Sequence, residues 1–297
     1  MTTLNSFDTC MERVTAGERL SPGEIRELAS APDILPLGML ADAARRRLHD
    51  TRVTFLRVAV CAFDKPFADA VPPTAGEIRI TGSPEQLSVA IGAVESAKAV
   101  AGVRAVSGFT WADVERLAAG GRIAGVLAQL RDAGLDSLAE LPLDGVADIA
   151  GAIDALATAG FKQLRCTIDK VAAADRTNLL LRAAELQDDF QCIQAINPLP
   201  MVLGAFRPTT GYEDVKMVAV SRLAAPNVPT IQVDWRRYGP KLAQVALTFG
   251  ADDIDGVSPS EEAPEGRRRA PLEEIQRNIE AAGFQPAERT GRFTVIA

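Results

Sequence analysis

Short apolar runs rich in β-branched residues alternate with longer segments of helical periodicity from Arg52 onward. Parallel neighbours in a sheet need a crossover connection, so strands that alternate with helices form a parallel sheet. Eight such units predict an α/β fold, a (β/α) barrel with its helices outside. The predicted strands are Val53–Val60, Glu77–Thr81, Val103–Ser107, Asp136–Leu141, Gln163–Ile168, Phe190–Asn197, Thr230–Trp235 and Asp253–Val257.

The segment before the first strand carries helix signals instead. In "LSPGEIRELA", Ser21 at the N-cap, Pro22 at N1 and Glu24 at N3 form a capping box with the favoured proline. We therefore predict an N-terminal helical segment, residues 1–52, packed on a barrel formed by residues 53–297. The helices predicted within the barrel are Pro84–Val100, Trp111–Ala118, Ile123–Ala133, Val146–Ala159, Arg176–Gln187, Tyr212–Leu223, Pro240–Phe249 and Leu272–Ala282.

The first crossover of this barrel is short. Only Cys61–Gly76 separates the first two predicted strands, and this segment contains Pro66, Pro72 and Pro73. A helix interior does not accommodate proline, and a full crossover with its helix needs more residues than this. The sequence therefore predicts a loop in place of the first helix.

Charge and composition exclude several classes of protein. The net charge is −7 and basic residues are dispersed, which argues against a nucleic-acid surface. The N-terminus lacks the basic and apolar regions of a secretion signal, and no apolar run approaches the roughly 20 residues of a membrane span. The four cysteines form no CxxC pair, as expected of reduced thiols in the cytoplasm. We expect a cytoplasmic protein with no nucleic-acid partner and no membrane span.

The same residues limit metal sites. Structural zinc and iron–sulfur clusters need three or four soft ligands that converge on one point. Cysteine pairs at short spacing are missing, and His49 is the only histidine. We therefore predict no metal site, and a Ser-His-Asp triad is improbable.

Several segments resemble a known enzyme family. "LADAARRRLHDTRVTF", "LRDAGLDSL", "AAELQDDFQCIQAINPLP", "TTGYEDVKMVAVSRL" and "GPKLAQVALTFGADDIDG" are similar to aminofutalosine synthase, the radical-SAM enzyme of the futalosine route to menaquinone. The family is related to dehypoxanthine futalosine cyclase and the deazaflavin synthases. The resemblance runs from about Glu18 to Ala287 and is most specific in its last third. It implies a radical-SAM (β/α) barrel, in agreement with the alternation of strands and helices.

The motifs that the resemblance implies for the cofactors are incomplete. The family binds [4Fe-4S] through a CxxxCxxC loop after strand one; Cys61 matches the third cysteine, and the other two are absent. One thiolate cannot hold a four-iron cluster. The strand-two motif for S-adenosylmethionine is reduced to Thr81 and Gly82, and the loop after strand eight keeps Glu261 and Glu262 without the family's histidine. We therefore expect neither cofactor, with Cys61 as a relic of the cluster motif; a reactive thiol is the alternative.

A remaining pocket is expected at the carboxyl ends of the strands, where such barrels carry their sites. Glu140 and Asp169 could act as acid and base, although solvated loop carboxylates are the simpler interpretation. Trp235 offers a stacking surface and Arg236 a positive charge, and Asn197 falls where the family enters its substrate-facing stretch. Acidic residues of "GADDIDG" are interpreted as strand-start and turn residues. The candidate pocket residues are Asn197, Asp234, Trp235, Arg236, Asp169 and Glu140.

Three functions stay open. The favoured one is a catalytically degenerate paralogue, a pseudoenzyme that binds a catalytically complete radical-SAM homologue or a small-molecule pathway intermediate. The second is an iron-independent enzyme that reuses the pocket for a carboxylated nucleoside-like or chorismate-derived substrate. The third is an active radical-SAM synthase that a partner completes. No catalytic residue is assigned at this stage.

Overall fold

Every apolar run predicted as a strand forms one, and the eight strands close into a barrel. The structure is a computed structural model that describes residues 2–68, 70–170, 173–201, 210–266 and 268–296. Strands β1 to β8 follow one another in chain order, all parallel, and β1 pairs with both β8 and β2. The strands are β1 (Arg52–Ala62), β2 (Glu77–Thr81), β3 (Ala105–Thr110), β4 (Ser137–Pro142), β5 (Leu164–Ile168), β6 (Ile193–Pro200), β7 (Thr230–Asp234) and β8 (Asp253–Val257).

Helices cover the outside of the barrel, as the periodicity predicts. The capping box at the second helix is present: Glu24 N donates to Ser21 Oγ at 3.3 Å and Ser21 N donates to Glu24 Oε2 at 2.6 Å. The helices are α1 (Thr2–Ala16), α2 (Pro22–Ser30), α3 (Leu35–His49), α4 (Leu87–Ala101), α5 (Trp111–Ala118), α6 (Ile123–Asp132), α7 (Ile149–Thr158), α8 (Ala173–Phe190), α9 (Gly211–Ala224), α10 (Trp235–Leu247) and α11 (Pro271–Ala281).

The N-terminal helices pack on the second half of the barrel. Helix α3 lies against α9, α1 lies against α3, and α2 contacts α8 and α9. Buried Leu37, Leu40 and Ala41 form the inner face of α3. Because these side chains join the same core cluster as the barrel helices, the segment before β1 is part of the barrel's outer layer. No helix in the described ranges is long and apolar enough to cross a bilayer.

The first crossover is a loop, as predicted. Residues 63–76, as far as they are described, form turns and bends without a helix. Arg104 holds this connection, donating from Nε to Ala75 O and from Nη2 to Pro73 O, both at 2.8 Å. The proline-containing segment therefore runs directly along the barrel edge from β1 to β2.

A ninth strand, β9 (Gln285–Glu288), was missed by the sequence interpretation. It pairs in parallel with the first half of β1, Arg52–Phe55, whereas the second half, Val58–Ala62, pairs with β2. The sequence "QPAE" is short and contains proline, so it lacks a strand signal of its own. The long first strand provides the free edge to which it adds.

The tail after β9 closes the bottom of the barrel, the end at which the strands begin. Arg289 is buried and donates two hydrogen bonds to Asp253 on β8, at 2.5 and 2.7 Å. Gly291 N donates to Gly76 O at 3.1 Å, and Arg292 pairs with Asp136 at 2.9 Å. Asp253 starts β8, in agreement with the interpretation of these acids as strand-start residues, and a buried guanidinium binds it inside the barrel.

One element boundary also differs from the prediction in a functional region. Strand β7 ends at Asp234, and Trp235 is the first residue of α10, not the last residue of the strand. The Asp234 side chain is the N-cap and accepts a hydrogen bond from Arg237 N at 2.9 Å. An aspartate followed by a helical turn is a strong N-cap signal, and here the cap decides where the strand stops.

Candidate functional site

The barrel interior contains a buried network of charges in place of the usual apolar layers. Arg79 on β2 donates to Asp255 on β8 at 2.7 and 3.0 Å and to Glu77 at 2.8 and 2.9 Å. Arg165 on β5 donates to the same Glu77 oxygen at 3.0 Å, as Ser107 on β3 does at 2.5 Å. Four donor atoms therefore converge on Glu77 Oε1, and this one carboxylate joins strands β2, β3 and β5.

The network keeps its carboxylates ionised. Burial would raise the pKa of Asp255, but Arg79 outweighs burial through its charge and hydrogen bonds and holds this pKa well below its usual range. Burial likewise opposes ionisation of Glu77, and Arg165 and Arg79 lower its pKa below the ordinary value. These groups are charged at neutral pH because their partners are fixed on neighbouring strands.

Above this network, at the carboxyl ends of the strands, lies a second group of charges. We call Glu140, Asp169, Asp234 and Arg237 the mouth cluster. Arg237 Nη2 lies 3.8 Å from Glu140 Oε1 at the end of β4, and its Nε lies 4.0 Å from Asp234 Oδ2. Arg237 Nη1 also donates to Met201 O, just beyond β6. The Arg237 side chain thus spans the mouth from β6 to β4.

The three carboxyl groups of the mouth cluster have pKa values above the ordinary range. Burial is the main cause for each of them. Nearby carboxylates add to it: Asp169 acts on Glu140, Asp144 acts on Asp169, and Asp255 acts on Asp234. Arg237 lowers each of these pKa values but does not cancel the effect. Among the described residues, the mouth cluster therefore has more carboxylates than cations.

Three of the predicted pocket residues thus lie together, namely Glu140, Asp169 and Asp234. Arg236 is exposed, and its side chain passes over Gly256 on β8. A Cβ at Gly256 would lie 3.5 Å from Arg236 Cγ and 3.3 Å from Asp234 Oδ1. Trp235 is half-buried against the core cluster. These positions are compatible with a site at the mouth, and the role of each residue there stays a prediction.

Asn197 lies in an irregular part of β6. Cys166 pairs with Ile196 and Ile168 pairs with Pro200, so β6 carries extra residues opposite β5 at this point. Asn197 is 4% exposed, and its Oδ1 accepts a hydrogen bond from Leu199 N at 3.3 Å. Its amide oxygen therefore braces the local backbone at the end of β6, a contact that the sequence alone did not suggest.

The predicted relics of the cofactor motifs meet at the top of β1 and β2. Phe63 N donates to Thr81 O at 2.9 Å, and Thr81 Oγ1 donates to Cys61 O at 3.3 Å. Gly82 has φ +93, and a Cβ there would lie 2.7 Å from the Phe63 ring. Cys61 is 4% exposed, and burial raises the pKa of its thiol. A buried, protonated thiol is a poor nucleophile.

Sequence reasoning missed the residues of the interior network and Arg237. A signal was present: Glu77 and Arg79 in "EIRIT", and Asp253 and Asp255 in "DIDGV", are spaced by two residues in otherwise apolar strands. Side chains two apart on a strand share one face, so charges at this spacing point together to one side of the sheet. In a closed barrel that side is the interior.

Comparison with known proteins shows which proteins the chain resembles. A family model described as the CofH/MqnC C-terminal region matches residues 193–296, from β6 to the tail. Aminodeoxyfutalosine synthase of Streptomyces coelicolor is 33% identical over 142 residues, which cover 41% of this chain and 37% of the relative. Over part of its length, this chain is similar to the aminofutalosine synthases. The resemblance seen in the sequence is thereby confirmed.

A second kind of enzyme is also similar to this chain. The 5-amino-6-(D-ribitylamino)uracil–L-tyrosine 4-hydroxyphenyl transferase of Archaeoglobus fulgidus is 33% identical over 134 residues, 41% of this chain and 39% of the relative. The chain thus spans less than two-fifths of the length of the curated relatives it matches first. The similarity therefore concerns only part of these proteins, and their complete activities are not carried over to this chain.

Solved structures agree on the fold. HydG, a maturase of the [FeFe]-hydrogenase, superposes with a TM-score of 0.70 at 14% identity, covering 97% of this chain and 77% of HydG. Methylornithine synthase (PylB) superposes with a TM-score of 0.67 at 15% identity, covering 94% of this chain and 97% of PylB. At these identities the likeness shows the (β/α) barrel fold alone.

The residues of this chain do not fit a [4Fe-4S] cluster. Its four cysteines are all buried and lie on separate elements: Cys10 on α1, Cys61 on β1, Cys166 on β5 and Cys192 before β6. Within the described ranges, no group of three or more His, Cys, Asp or Glu residues is placed to hold a metal ion. A four-iron cluster needs several thiolates at one point, and these thiols cannot converge without unfolding the barrel.

Proposed function

We propose that this chain is an accessory or binding protein of the menaquinone (futalosine) route, without radical chemistry of its own. The similarity to aminodeoxyfutalosine synthase supports the link to the route. The single observation that carries the proposal is the position of the cysteines: Cys61 stands alone at the end of β1, and the loop to β2 adds no second thiol. The barrel then serves to bind a pathway intermediate or a complete synthase.

The geometry of the barrel is compatible with binding. Its lower interior is filled by paired charges, whereas the mouth cluster carries carboxylates that lack close partners. Ligands of such barrels bind at the carboxyl ends of the strands. A site at that end can therefore remain in use after the loss of the cluster loop, because Glu140, Asp169 and Asp234 come from strands β4, β5 and β7.

The first test measures iron. The purified protein is reconstituted anaerobically with iron and sulfide, desalted, and assayed for bound iron, visible absorbance and reductive cleavage of S-adenosylmethionine to 5′-deoxyadenosine. A family member with the complete CxxxCxxC loop is treated in parallel. We expect the family member to gain a cluster and this protein to gain neither stoichiometric iron nor cleavage activity. Stoichiometric iron with cleavage would overturn the proposal.

A second arm of the same experiment tests completion by a partner. The protein is mixed with the complete family member, and the amounts of 5′-deoxyadenosine and of co-eluting protein are measured. An accessory role predicts co-elution or a change in the synthase's turnover. If the protein alone stays inactive and iron is shared only in the mixture, the chain is instead one part of a composite synthase.

Iron-independent catalysis is the second candidate, and one observation favours it. The pKa of Glu140 is raised, mainly by burial, and a carboxyl group with a raised pKa is suited to general acid–base chemistry. Metal-free protein would then convert a carboxylated nucleoside or a chorismate-derived compound, detected by mass spectrometry. Loss of conversion in Glu140→Gln, with binding retained, separates an enzyme from a binding protein.

A further inference from the structure

We propose that the mouth of this barrel receives a ligand through an organic cation, a primary ammonium group, held by Glu140, Asp169 and Asp234. The inference deepens the proposed binding function, because it names the chemical class that the mouth recognises. It rests on the unfilled hydrogen-bonding capacity of these carboxylates, on the charge balance below them and on an unpartnered polar group in the same wall.

Two of the carboxylates have no hydrogen-bond donor. Among the described residues, none donates to the side chain of Glu140 or Asp169, although both are only partly exposed. Asp234 accepts one bond, from Arg237 N at 2.9 Å. The Arg237 guanidinium stays at 3.8 Å from Glu140 and 4.0 Å from Asp234, beyond hydrogen-bond distance. A ligand that donates N–H hydrogen bonds therefore stabilises partly buried carboxylates that lack donors of their own.

The charges of the interior network do not balance the negative charge of the mouth cluster. The interior network pairs three carboxylates with three guanidiniums, so it is neutral as a unit: Glu77, Asp253 and Asp255 with Arg79, Arg165 and Arg289. In the mouth cluster three carboxylates face the single guanidinium of Arg237. Arg236 and Lys170 are exposed on the rim. A cation that enters the mouth therefore meets a net negative site in a partly desolvated setting.

Thr167 is the independent observation that points into the same space. Its side chain is on β5, two residues after Arg165 and two before Asp169. Arg165 reaches Glu77 in the barrel interior, so alternation along the strand gives Thr167 the same inward direction. Thr167 is 4% exposed and its Oγ1 has no hydrogen-bond partner in the described structure. Buried hydroxyls are normally paired, so this one is available to a ligand.

An organic cation fits these groups better than a metal ion. Metal ions need several ligands at one point, and the described part of the chain has no group of three or more His, Cys, Asp or Glu placed for that. The mouth carboxylates come instead from β4, β5 and β7, around the rim of the barrel. An ammonium group needs no complete shell of ligands, so one or two of these carboxylates are sufficient to bind its N–H donors while its carbon skeleton lies over the mouth.

The test compares cations with neutral molecules of the same shape. Binding of 5′-amino-5′-deoxyadenosine and adenosine, and of tyramine and its alcohol isostere, is measured by titration calorimetry. We expect each amine to bind about tenfold more tightly than its neutral isostere, a preference of about 1.4 kcal/mol. The double variant Glu140→Gln/Asp234→Asn should lose this preference; its asparagine can still cap α10.

The matched control is Asp154→Asn/Glu185→Gln, which removes the same number of charges from exposed positions on α7 and α8. It should keep the preference for amines. The proposal is overturned if no amine binds at millimolar concentration, if amines and isosteres bind equally, or if the control double variant loses the preference as well. Iron content and S-adenosylmethionine cleavage, which test the proposed function, are separate readouts that none of these outcomes changes.

Discussion

Arg79 on β2 and Asp255 on β8 are joined by two hydrogen bonds, 2.7 and 3.0 Å long, inside the barrel. The two strands are not neighbours, because β1 lies between them in the sheet. The pair therefore ties the barrel together through its interior, where Asp255 is buried and Arg79 is mostly buried. The arginine also connects to further charges, since Arg79 binds Glu77 and Glu77 binds Arg165.

Removing one member of this pair should be costly. Arg79→Met leaves the carboxylates of Asp255 and Glu77 buried with fewer partners, and breaking a buried ion pair in this way costs about 3–5 kcal/mol. The free energy of unfolding, measured with urea, should fall by that amount. Glu185→Gln, which breaks an exposed pair with Arg182, is the control and should cost less than about 1 kcal/mol.

A second substitution should recover part of the loss. In Arg79→Met/Asp255→Leu the unpaired carboxylate of Asp255 is replaced by an apolar side chain, and apolar replacement of a whole buried pair is often neutral. The double variant should therefore be more stable than Arg79→Met alone. An equally unstable double variant would show that shape, not charge pairing, makes this position essential.

The interior network also predicts acid sensitivity. The pKa values of Asp255 and Glu77 are lowered in the folded protein, so their contribution to stability is complete above the unfolded-state pKa of about 4. It is lost as the pH falls through the folded-state values. Urea unfolding at a series of acidic pH values should show a decline that is shallower in Asp255→Asn. Parallel pH profiles for the two proteins would contradict this assignment.

The affinity of the mouth for an amine should rise with pH. Glu140 faces Arg237, Asp169, Arg79 and Asp234, and its pKa is raised, mainly by burial. A cation binds the ionised carboxylate, so affinity should rise as the pH increases above about 4, and binding should release protons. Calorimetry in buffers of different ionisation enthalpy measures this release. In Glu140→Gln the release should shrink; an unchanged value would exclude Glu140 from the site.

Gly82 should not tolerate a side chain. It has φ +93, and a Cβ would approach Phe63 Cδ1 to 2.7 Å, so Gly82→Ala should destabilise the protein by about 1–3 kcal/mol. Gly92 on α4 is the matched control, because nothing lies within 4 Å of its Cβ position. Gly92→Ala should be neutral or gain up to about 1 kcal/mol through helix propensity. Thermal unfolding of both variants decides whether the close contact with Phe63 exists.

The cysteines should be unreactive until the chain unfolds. All four thiols are buried, and burial raises the pKa values of Cys61 and Cys166 among them. An aromatic disulfide reagent should therefore label almost none of them in native protein and four in denaturant. Rapid labelling of one thiol in native protein that disappears in Cys61→Ala would support the reactive-thiol alternative instead of the relic.

The sequence was sufficient for most of the architecture. Local periodicity specified the alternation of strands and helices, and the bounds of β2, β8 and α5 agree with the structure residue for residue. The Ser21 capping box and the loop in place of the first helix also follow from local chemistry. Such features depend on neighbours within a few residues, which is why a sequence can predict them.

The tertiary structure decided what occupies the barrel. Glu77 receives donors from β2, β3 and β5, and Arg289 reaches Asp253 from a tail that follows a strand without a strand signal. Trp235, predicted as the last residue of a strand, is the first residue of α10 because Asp234 caps this helix. The alternation of a strand gives only the face on which a side chain lies. Which charges meet on that face depends on barrel closure and on the register of distant strands, and these are set by the whole chain.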